Sequence, residues 1–464
     1  MKSIKFNYIF AIFSLIMLMF IGCKKDFLEK KPNTNIVIPE TLDDMMQLLD
    51  NVDVNSSTPG MPTMSADEYV ITTSEEFSSL ETNLERNCYV WKPDLYGGTL
   101  NIGDWNIPYQ KAFYSNVVLE QYEKLSISNQ VSIQGKYVKA WALFSRAYAF
   151  FNLVQVFAPT YNEPKAKTDL GIPLKLTSNI NAITQRSSVA ETYNQILEDL
   201  ESSLPLFSDS FPTQNRNRPS KAAVYALLAR IYLSMGKYDK ALQASENSLS
   251  IYNKLIDYNS LDNASATPFS SYNDEMVLYS TQIPNYRITI VGYASAVINP
   301  KLIQMYEPND LRKETFFRNE NGQYFKKRDY GGASGGYYPF TGLAVDELYL
   351  IKAECLARGG NLQEAVNTLN DLLVKRYKTG SYVRFVSSSL EELISKILQE
   401  REKELVWRGL RWADVKRLNV AGANITLTRK IENTTYTLSP NDQKYVMPIP
   451  DDEIALSHII QNQR

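Results

Sequence analysis

The chain has 464 residues, of which 49 are basic and 51 are acidic, so its formal net charge is −2. Because the two signs are not strongly segregated, the sequence lacks the basic footprint of a nucleic-acid-binding protein, and we expect no nucleic-acid partner. The single histidine, His458, leaves almost nothing from which a histidine-ligated metal site or a Ser-His-Asp triad could be built. The composition therefore predicts neither a metal nor a cofactor.

The first residues have the pattern of an export signal. Lys2 and Lys5 supply a positive start, and the apolar run from Phe6 to Ile21 follows them. This run is short for a transmembrane helix, which needs roughly 20 apolar residues. We predict a signal peptide over residues 1–22, with a plain signal-anchor helix as the alternative.

The cysteine that ends this run is the predicted site of lipid attachment. Gly22 directly precedes Cys23, and the arrangement resembles a bacterial lipobox, in which the acylated cysteine becomes the first mature residue. Phe20 departs from that pattern, which prefers leucine at its position. Several acyl chains bury enough methylene groups for stable anchoring. We predict a lipid anchor at Cys23 and a polar tether over residues 23–40.

The two remaining cysteines give no sign of pairing. Cys355 lies in an alanine-rich apolar helix pattern, ELYLIKAECLARGG, where a free thiol usually behaves as a small buried hydrophobe. Nothing in the sequence brings Cys88 to it. We expect both thiols to be free and inert.

Two segments predict closely packed helix hairpins. Each places small residues at intervals of seven and five, so that two antiparallel helices can approach closely and a glycine can turn the chain between them. These residues are Ala229, Gly236 and Ala241 in the first segment, and Ala353, Gly360 and Ala365 in the second. The spacing is typical of a tetratricopeptide repeat, but the segments lie much farther apart than the roughly 34 residues of a tandem array. We therefore predict repeat-like helix pairs separated by long insertions.

Capping boxes mark the starts of two further helices. Glu191 follows Ser188 by three residues, and Glu392 follows Ser389 in the same way. In such a box the serine side chain accepts from the third helical N–H, and the glutamate accepts from the serine N–H. We predict helices that begin directly after Ser188 and Ser389.

The segment from Glu391 to Leu418 is rich in arginine, which could suggest nucleic-acid binding. Its basic and acidic residues nearly cancel, and Arg401 and Arg408 lie on its apolar stripe. Because an isolated buried charge is too costly, arginines that face a core are usually paired with carboxylates. We predict an interior ion-pair network here.

Two stretches, 61–104 and 256–342, are rich in turn formers and contain scattered aromatic residues. We predict irregular structure in both, with short strands in the second. Long structured loops on a rigid scaffold tend to carry function. Adjacent acids such as Asp451 and Asp452 leave a secreted hydrolase as an alternative, but glycoside hydrolysis needs two carboxylates about 5–10 Å apart, and adjacency in sequence does not establish that geometry.

Six stretches spread over the mature chain resemble a known family when they are taken together. They are ALFSRAYAFFNLVQVFA with LGIPL (170–174), VAETYNQILEDLESSLP (189–205), RPSKAAVYALLARIYLSMGKYDKAL (218–242), DELYLIKAECLARGGNLQEAVNTLNDLLVKR (346–376), ILQEREKELVWRGLRWADVKRL (397–418) and YVMPIPDDEI with QN (445–462). In this order the chain resembles the SusD/RagB family of surface lipoproteins of Bacteroidota. One departure is Arg408, which stands where the family often has glutamate.

The resemblance implies a mainly α fold, in which tetratricopeptide-like helix pairs form a scaffold and a loop-rich irregular region packs on it. It implies a single SusD-like domain over residues 41–464, with an N-terminal part of about 41–255 and a C-terminal part of about 256–464. Such a protein would not be an enzyme. It would sit on the outer membrane, facing the cell exterior, and capture an oligosaccharide for a SusC-like TonB-dependent transporter. Capture of peptides and a tetratricopeptide-type scaffold for protein segments are the alternatives.

The predicted ligand face consists of aromatic rings from the two turn-rich stretches. A ring that stacks on the apolar C–H face of a sugar removes water from both, which suits the binding of a neutral polymer. Asp67 would accept hydrogen bonds from sugar hydroxyls. The predicted ligand-binding residues are Asp67, Trp91, Tyr96, Tyr286, Tyr330, Tyr337 and Tyr338.

Overall fold

A computed structural model of the protein describes residues 38–464 except 213, 294, 329 and 333–335. The predicted signal peptide, Cys23 and nearly all of the predicted tether lie outside the described residues. Pro39–Arg464 form one compact unit. Within the described part of the chain, no helix has both the length and the apolar character that crossing a membrane requires.

Helices dominate the regular structure, which confirms the predicted mainly α fold. In chain order the α-helices are α1 (Leu42–Leu49), α2 (Val52–Asn55), α3 (Met61–Ser65), α4 (Ser74–Ser78), α5 (Asn83–Tyr89), α6 (Gly103–Tyr122), α7 (Ile127–Val131), α8 (Ile133–Phe157), α9 (Val189–Ser203), α10 (Lys221–Ser234), α11 (Tyr238–Ile251), α12 (Pro300–Gln304), α13 (Arg312–Phe316), α14 (Val345–Arg358), α15 (Leu362–Leu373), α16 (Leu390–Glu404), α17 (Arg411–Val420) and α18 (Asp451–Ser457). Short 3₁₀ turns occupy Leu204–Leu206, Tyr258–Ser260, Arg287–Thr289 and Gln443–Tyr445.

The strands of the described residues are short and form two-stranded pairs. They are β1 (Ser57–Thr58), β2 (Tyr69–Val70), β3 (Leu170–Pro173), β4 (Arg186–Ser188), β5 (Met276–Leu278), β6 (Thr281–Gln282), β7 (Val297–Ile298), β8 (Phe317–Glu320), β9 (Gln323–Lys326), β10 (Leu343–Ala344), β11 (Leu427–Ile431) and β12 (Thr434–Leu438). β1 pairs with β6 in parallel, whereas β2–β7, β3–β4, β5–β10, β8–β9 and β11–β12 are antiparallel. Short strands within 256–342 were predicted, and the structure confirms them.

Both predicted helix hairpins are present. Helix α10 packs against α11 and α14 packs against α15, while α11 also contacts α14 and so joins the two hairpins. The four alanines that define the spacing are fully buried. Gly236 and Gly360 turn the chain with φ values of 70° and 86°, a conformation that glycine adopts without strain. Farther towards the N-terminus, α8 packs between α6 and α9.

One of the two predicted capping boxes is complete and the other is half-formed. At α9 the Ser188 hydroxyl accepts from the Glu191 N–H, and the Glu191 carboxylate accepts from the Ser188 N–H. At α16 the Ser389 hydroxyl accepts from the Glu392 N–H, but the Glu392 carboxylate accepts from the hydroxyl of Ser387. Both helices begin where the sequence predicts.

The predicted interior ion-pair network is also present. Arg401 donates from Nε to Asp414 at 2.8 Å, and Arg408 donates from Nη1 to Asp346 at 2.9 Å. Arg417 donates to both carboxylate oxygens of Glu354. These pairs connect α14 with α16, α17 and the turn between them.

A second group of buried ion pairs joins the loop-rich region to the helices. The side chain of Arg312 is fully buried and donates to Asp310, Glu400 and Glu404 at 2.6–2.9 Å. Such a cation is tolerated in a core because carboxylates surround it. Because Arg312 is the first residue of α13, these bonds hold the start of α13 against α16.

The expectation of irregular structure over residues 61–104 is wrong in part. This stretch contains the short helices α3, α4 and α5, and capping boxes start the last two. Thr73 pairs with Glu76, and Thr82 pairs with Glu85. Helices of one or two turns show too little apolar periodicity to be recognised in sequence, whereas their caps could have been.

Candidate ligand-binding face

Four of the predicted ligand-binding rings are buried in the core and not exposed as predicted. Trp91, Tyr96 and Tyr330 are each 2% exposed, and Tyr286 is 4% exposed. A ring that is covered by protein cannot stack on a sugar in this conformation. The structure therefore corrects their predicted role, and the contacts of each ring give the physical reason.

Trp91 belongs to an aromatic cluster around Arg429. The Arg429 guanidinium, which comes from β11, lies 4.9 Å from the Trp91 ring centroid and 3.9 Å from that of Tyr89. The indole Nε1–H of Trp91 donates to the Ser65 carbonyl at 3.0 Å. Both the face and the edge of this ring are thus occupied by protein groups.

The three buried tyrosines use their hydroxyl groups in internal hydrogen bonds. Tyr96 donates to the Pro448 carbonyl, and Tyr286 donates to the Asp104 carboxylate. Tyr330 donates to Asp346 at 2.9 Å and lies in hydrogen-bond contact with Glu275 as well. Burial raises the pKa of all three phenols well above the ordinary value, so they stay protonated.

Asp67, which we predicted as an acceptor for ligand hydroxyls, is half-buried, and its carboxylate is bonded to an arginine of the protein. Arg411 donates from Nε to Oδ1 at 2.7 Å and from Nη2 to Oδ2 at 3.0 Å. Burial opposes ionisation of Asp67, but Arg411 outweighs it and holds the pKa of Asp67 below its ordinary value. The carboxylate is an ionised partner of an arginine.

The last two predicted tyrosines do reach the surface. Tyr337 is 58% exposed, and the guanidinium of Arg328 lies 4.2 Å from its ring centroid. Tyr338 is half-buried and donates to the Pro284 carbonyl at 3.2 Å. Partial burial and the charge of Glu81 raise the pKa of Tyr338, so it stays protonated at neutral pH.

Three further tyrosines of the loop-rich region also reach the surface, although nothing in the local sequence distinguishes them from buried tyrosines. Tyr272 is 50% exposed and lies edge-on to the half-buried Tyr279, with ring centroids 5.6 Å apart. Tyr293 is half-buried, and Arg287 lies 6.0 Å from its ring centroid. We call the five tyrosines together the aromatic face: Tyr272, Tyr279, Tyr293, Tyr337 and Tyr338.

Backbone contacts bring the segments of the aromatic face together. The N–H of Val291 donates to the Tyr337 carbonyl at 2.8 Å, and the N–H of Gln282 donates to the Pro339 carbonyl at 2.9 Å. The Ser271 hydroxyl donates to the Gly331 carbonyl. A side chain at Gly332 would meet the Ser271 backbone nitrogen at 2.7 Å, so glycine is required for this close approach.

The aromatic face combines rings with charged planar groups. Arg287 forms an exposed ion pair with Glu81, with Nε and Oε2 3.3 Å apart. Guanidinium and carboxylate groups of this kind can bond to hydroxyls, while tyrosine rings can cover apolar C–H faces. The arrangement is suited to binding a polar, largely uncharged ligand.

An acidic cluster elsewhere has ligand types that a metal could use. Oxygens of Glu275, Asp346 and Glu404 lie within 4.8 Å of one another. Arg376 donates to Glu275 and to Glu404, each at 2.7 Å, and Arg408 donates to Asp346. Because guanidinium groups supply the positive charge, the cluster fits an internal ion-pair network better than a metal site.

Two family models match the sequence. One, described as starch-binding associating with outer membrane, matches residues 26–233, and the other, described as the SusD family, matches residues 306–463. A SusD-like protein P2 from Formosa agariphila is 26% identical over 378 residues, which cover 68% of this chain and 72% of that protein.

Solved structures share the fold over most of its length. A putative sugar binding protein from Bacteroides vulgatus has a TM-score of 0.72 at 21% identity, covering 92% of this chain and 99% of its own. A SusD superfamily protein from Bacteroides thetaiotaomicron has a TM-score of 0.72 at 22% identity, covering 91% and 100%. A laminarin binding SusD-like protein has a TM-score of 0.65 at 18% identity, covering 91% and 99%. At these identities the likeness shows a common fold.

Proposed function

Since the chain belongs to the SusD/RagB family, we propose that it is a non-catalytic surface lipoprotein that captures a glycan and delivers it to a SusC-like TonB-dependent transporter. The observation that carries the proposal is the aromatic face. Its two exposed and three half-buried tyrosines, together with nearby guanidinium and carboxylate groups, offer the rings and hydrogen-bonding groups that a neutral oligosaccharide needs. The laminarin binding neighbour supports a glycan as the ligand class.

The glycan proposal is tested by isothermal calorimetry with a panel of oligosaccharides that includes laminarin fragments. Tyr337→Ala and Tyr272→Ala should each weaken binding by about 1–3 kcal/mol if they are hot spots, with the melting temperature nearly unchanged. Tyr436→Ala, in the β11–β12 hairpin outside the aromatic face, is the matched control and should bind normally. Normal glycan binding by both variants would contradict the aromatic face, and binding of peptides instead of any glycan would favour the peptide-capturing alternative.

Delivery to the transporter requires that the protein meet it at the outer membrane. We propose that lipid on Cys23 provides the anchor and that the protein faces the cell exterior. Cys23→Ser should abolish metabolic labelling with palmitate and release the protein from the membrane or trap its precursor. Labelling that persists in Cys23→Ser would refute the anchor. Digestion of the protein by protease added to intact cells would support the exterior location.

The transporter partnership has its own test. The tagged, lipidated protein should co-purify a TonB-dependent transporter from detergent-solubilised outer membranes. Tyr337→Ala should retain the transporter while binding glycan more weakly, since the two bindings are proposed as separate. Absence of any transporter under conditions that preserve glycan binding would leave a glycan-binding lipoprotein without the delivery role.

A further inference from the structure

Three strongly exposed aliphatic side chains lie close together at the turn between α7 and α8. Ile127 is 78% exposed, Val131 is 59% exposed and Ile133 is 89% exposed. Single exposed hydrophobic residues are common on protein surfaces, but here three occur within seven residues. The eleven residues between Lys124 and Lys136 carry no charge. We call Ile127, Val131 and Ile133 the aliphatic patch.

Local contacts hold the aliphatic patch on one compact turn. Ile127 and Val131 are four positions apart on α7, so their side chains are neighbours on one face of that helix. Ser132 ends α7 and caps the first turn of α8, and its hydroxyl donates to the Asn129 carbonyl at 2.6 Å. Ile133 follows directly, so the third side chain lies within two positions of Val131.

Neighbouring residues of the same turn pack into the fold. Tyr122 and Val138 are buried in a small hydrophobic cluster with residues of α1, and the partly buried Leu125 packs against that cluster. The Tyr122 hydroxyl donates to the Gln130 carbonyl at 2.7 Å. The aliphatic patch therefore stands on a fixed base, and its own side chains are left exposed.

The aliphatic patch lies beside the point at which the predicted tether joins the fold. Gln134, the residue after Ile133, donates to Asp43 in the first turn of α1 at 2.6 Å. The seventeen residues between Cys23 and Thr41 can span at most about 60 Å. A compact domain of this size is roughly 55 Å across. A lipid on Cys23 would therefore favour orientations in which this side of the domain faces the membrane.

A lipid surface fits the aliphatic patch better than a protein partner does. Specific protein interfaces bury about 800 Å² on each side and are enriched in aromatic residues and arginine, whereas the patch consists of three aliphatic side chains. A bilayer needs no complementary shape, and it removes inserted apolar side chains from water. Because an anchored protein is at high local concentration at the membrane, weak insertion is sufficient.

The charges around the aliphatic patch have both signs. Lys124 and Lys136 are exposed, and so is Asp43. Glu123 is paired with Lys139, with Oε1 and Nζ 3.0 Å apart. Since these charges offset one another, burial of apolar surface supplies the driving force for lipid contact, and salt should not weaken it.

We propose that the aliphatic patch inserts into the bilayer that holds the lipid anchor, at the boundary between headgroups and acyl chains. This inference rests on the anchor at Cys23, which is part of the proposed function. The acyl chains hold the protein at the membrane, and the aliphatic patch determines which side of the domain faces the lipid.

A spin label at the aliphatic patch measures its depth in the membrane. Because Cys88 and Cys355 are buried, a nitroxide reagent labels a Val131→Cys variant of the acylated protein selectively. In vesicles of phosphatidylethanolamine and phosphatidylglycerol, oxygen concentrates in the acyl region and a nickel chelate stays in water. The ratio of oxygen to chelate accessibility should be severalfold higher for this label than for one in Val383→Cys, and high salt should not change it. Val383 is the matched control, because it is 84% exposed and lies between α15 and α16.

A charged variant tests whether insertion depends on the apolar side chains. Ile127→Asp combined with Ile133→Asp should return the label of Val131→Cys to water, while the protein still floats with the vesicles and binds glycan normally. An aqueous label in Val131→Cys protein that floats with the vesicles would overturn this inference alone. A label that is shielded only after the transporter is added would also overturn it, by assigning the aliphatic patch to a protein contact. Protein that does not float would overturn the anchor and this inference together, and calorimetry would still report glycan capture separately.

Discussion

Asp67 and Arg411 lie 344 positions apart in sequence and form a two-bond ion pair, with N–O distances of 2.7 and 3.0 Å. The pair connects the segment that follows α3 to the start of α17. Arg411 also contacts Glu402 at 3.1 Å, so the guanidinium is held by carboxylates from two parts of the chain. This arrangement assigns Asp67 to the stability of the fold.

Asp67→Asn should therefore lower stability without changing ligand binding. We expect the free energy of unfolding to fall by about 1–3 kcal/mol, because Arg411 loses its charged partner in a partly buried setting. Urea denaturation measures the loss, and calorimetry with glycan should give the wild-type affinity. Asp53→Asn, at an exposed carboxylate in α2, should be nearly neutral in both. An Asp67→Asn variant with the wild-type free energy of unfolding but weaker glycan binding would instead support the ligand-binding role of Asp67.

The close approach of the helix pairs predicts the effect of enlarging their small residues. Ala229→Leu or Ala353→Leu should each lower the free energy of unfolding by about 1–3 kcal/mol, because both positions are fully buried and have no room for three more carbons. Thermal and urea unfolding measure this. Ala264→Leu, at an exposed loop position, is the control and should change little. Neutral substitutions at both helix positions would contradict the close packing of α10 with α11 and of α14 with α15.

Because the carboxyl group of Glu68 is buried, we expect the free energy of unfolding to fall as the pH rises. Burial raises the pKa of Glu68 from 4.5 to about 8, and its Oε1 accepts from the Trp407 N–H at 2.7 Å. The folded protein therefore holds a proton that the unfolded chain releases above about pH 4.5. The stabilisation from this group is complete below that pH and is lost as the pH rises through about 8.

Glu68→Gln should remove this dependence, because the amide keeps the shape of the protonated acid and does not titrate. Between pH 5 and 8.5 the variant should lose less stability than the wild type, by on the order of 2 kcal/mol. Burial also raises the pKa of Glu275 to about 7. This group lowers the stability of the wild type and of the variant alike as the pH rises, so its effect cancels in the comparison. Glu391→Gln, at an exposed side chain, serves as the control. Parallel pH profiles for wild type and Glu68→Gln would show that Glu68 is ionised in the folded state.

The two internal cysteines should resist thiol reagents in the folded protein. Cys88 and Cys355 are free and buried, and burial raises the pKa of each thiol to about 12. Since the thiolate is the reactive form, a protein with Cys23→Ser should show almost no reaction with a disulfide reagent at pH 8. The same protein in denaturant should release two equivalents of chromophore. Fast labelling of either thiol in the native state would contradict its burial.

The features that the sequence determined by itself are the local ones. The alanine and glycine spacing around Ala229 and Ala353 predicts helix hairpins, since the residues that must face each other are only a few turns apart along the chain. The capping box of Ser188 and Glu191 marks the start of a helix, and its two residues are only three positions apart. The pairing of Arg401 and Arg408 with carboxylates also follows from sequence, because a buried guanidinium requires a counter-charge wherever it lies.

Tertiary structure alone decided which aromatic rings are exposed. Trp91 and Tyr337 both come from polar, turn-rich stretches and look alike in sequence, yet the first is in the core and the second is on the surface. Trp91 is covered because Arg429, far along the chain, packs over its ring. The burial of a side chain depends on which distant segments fold over it, and no local pattern of residues encodes that.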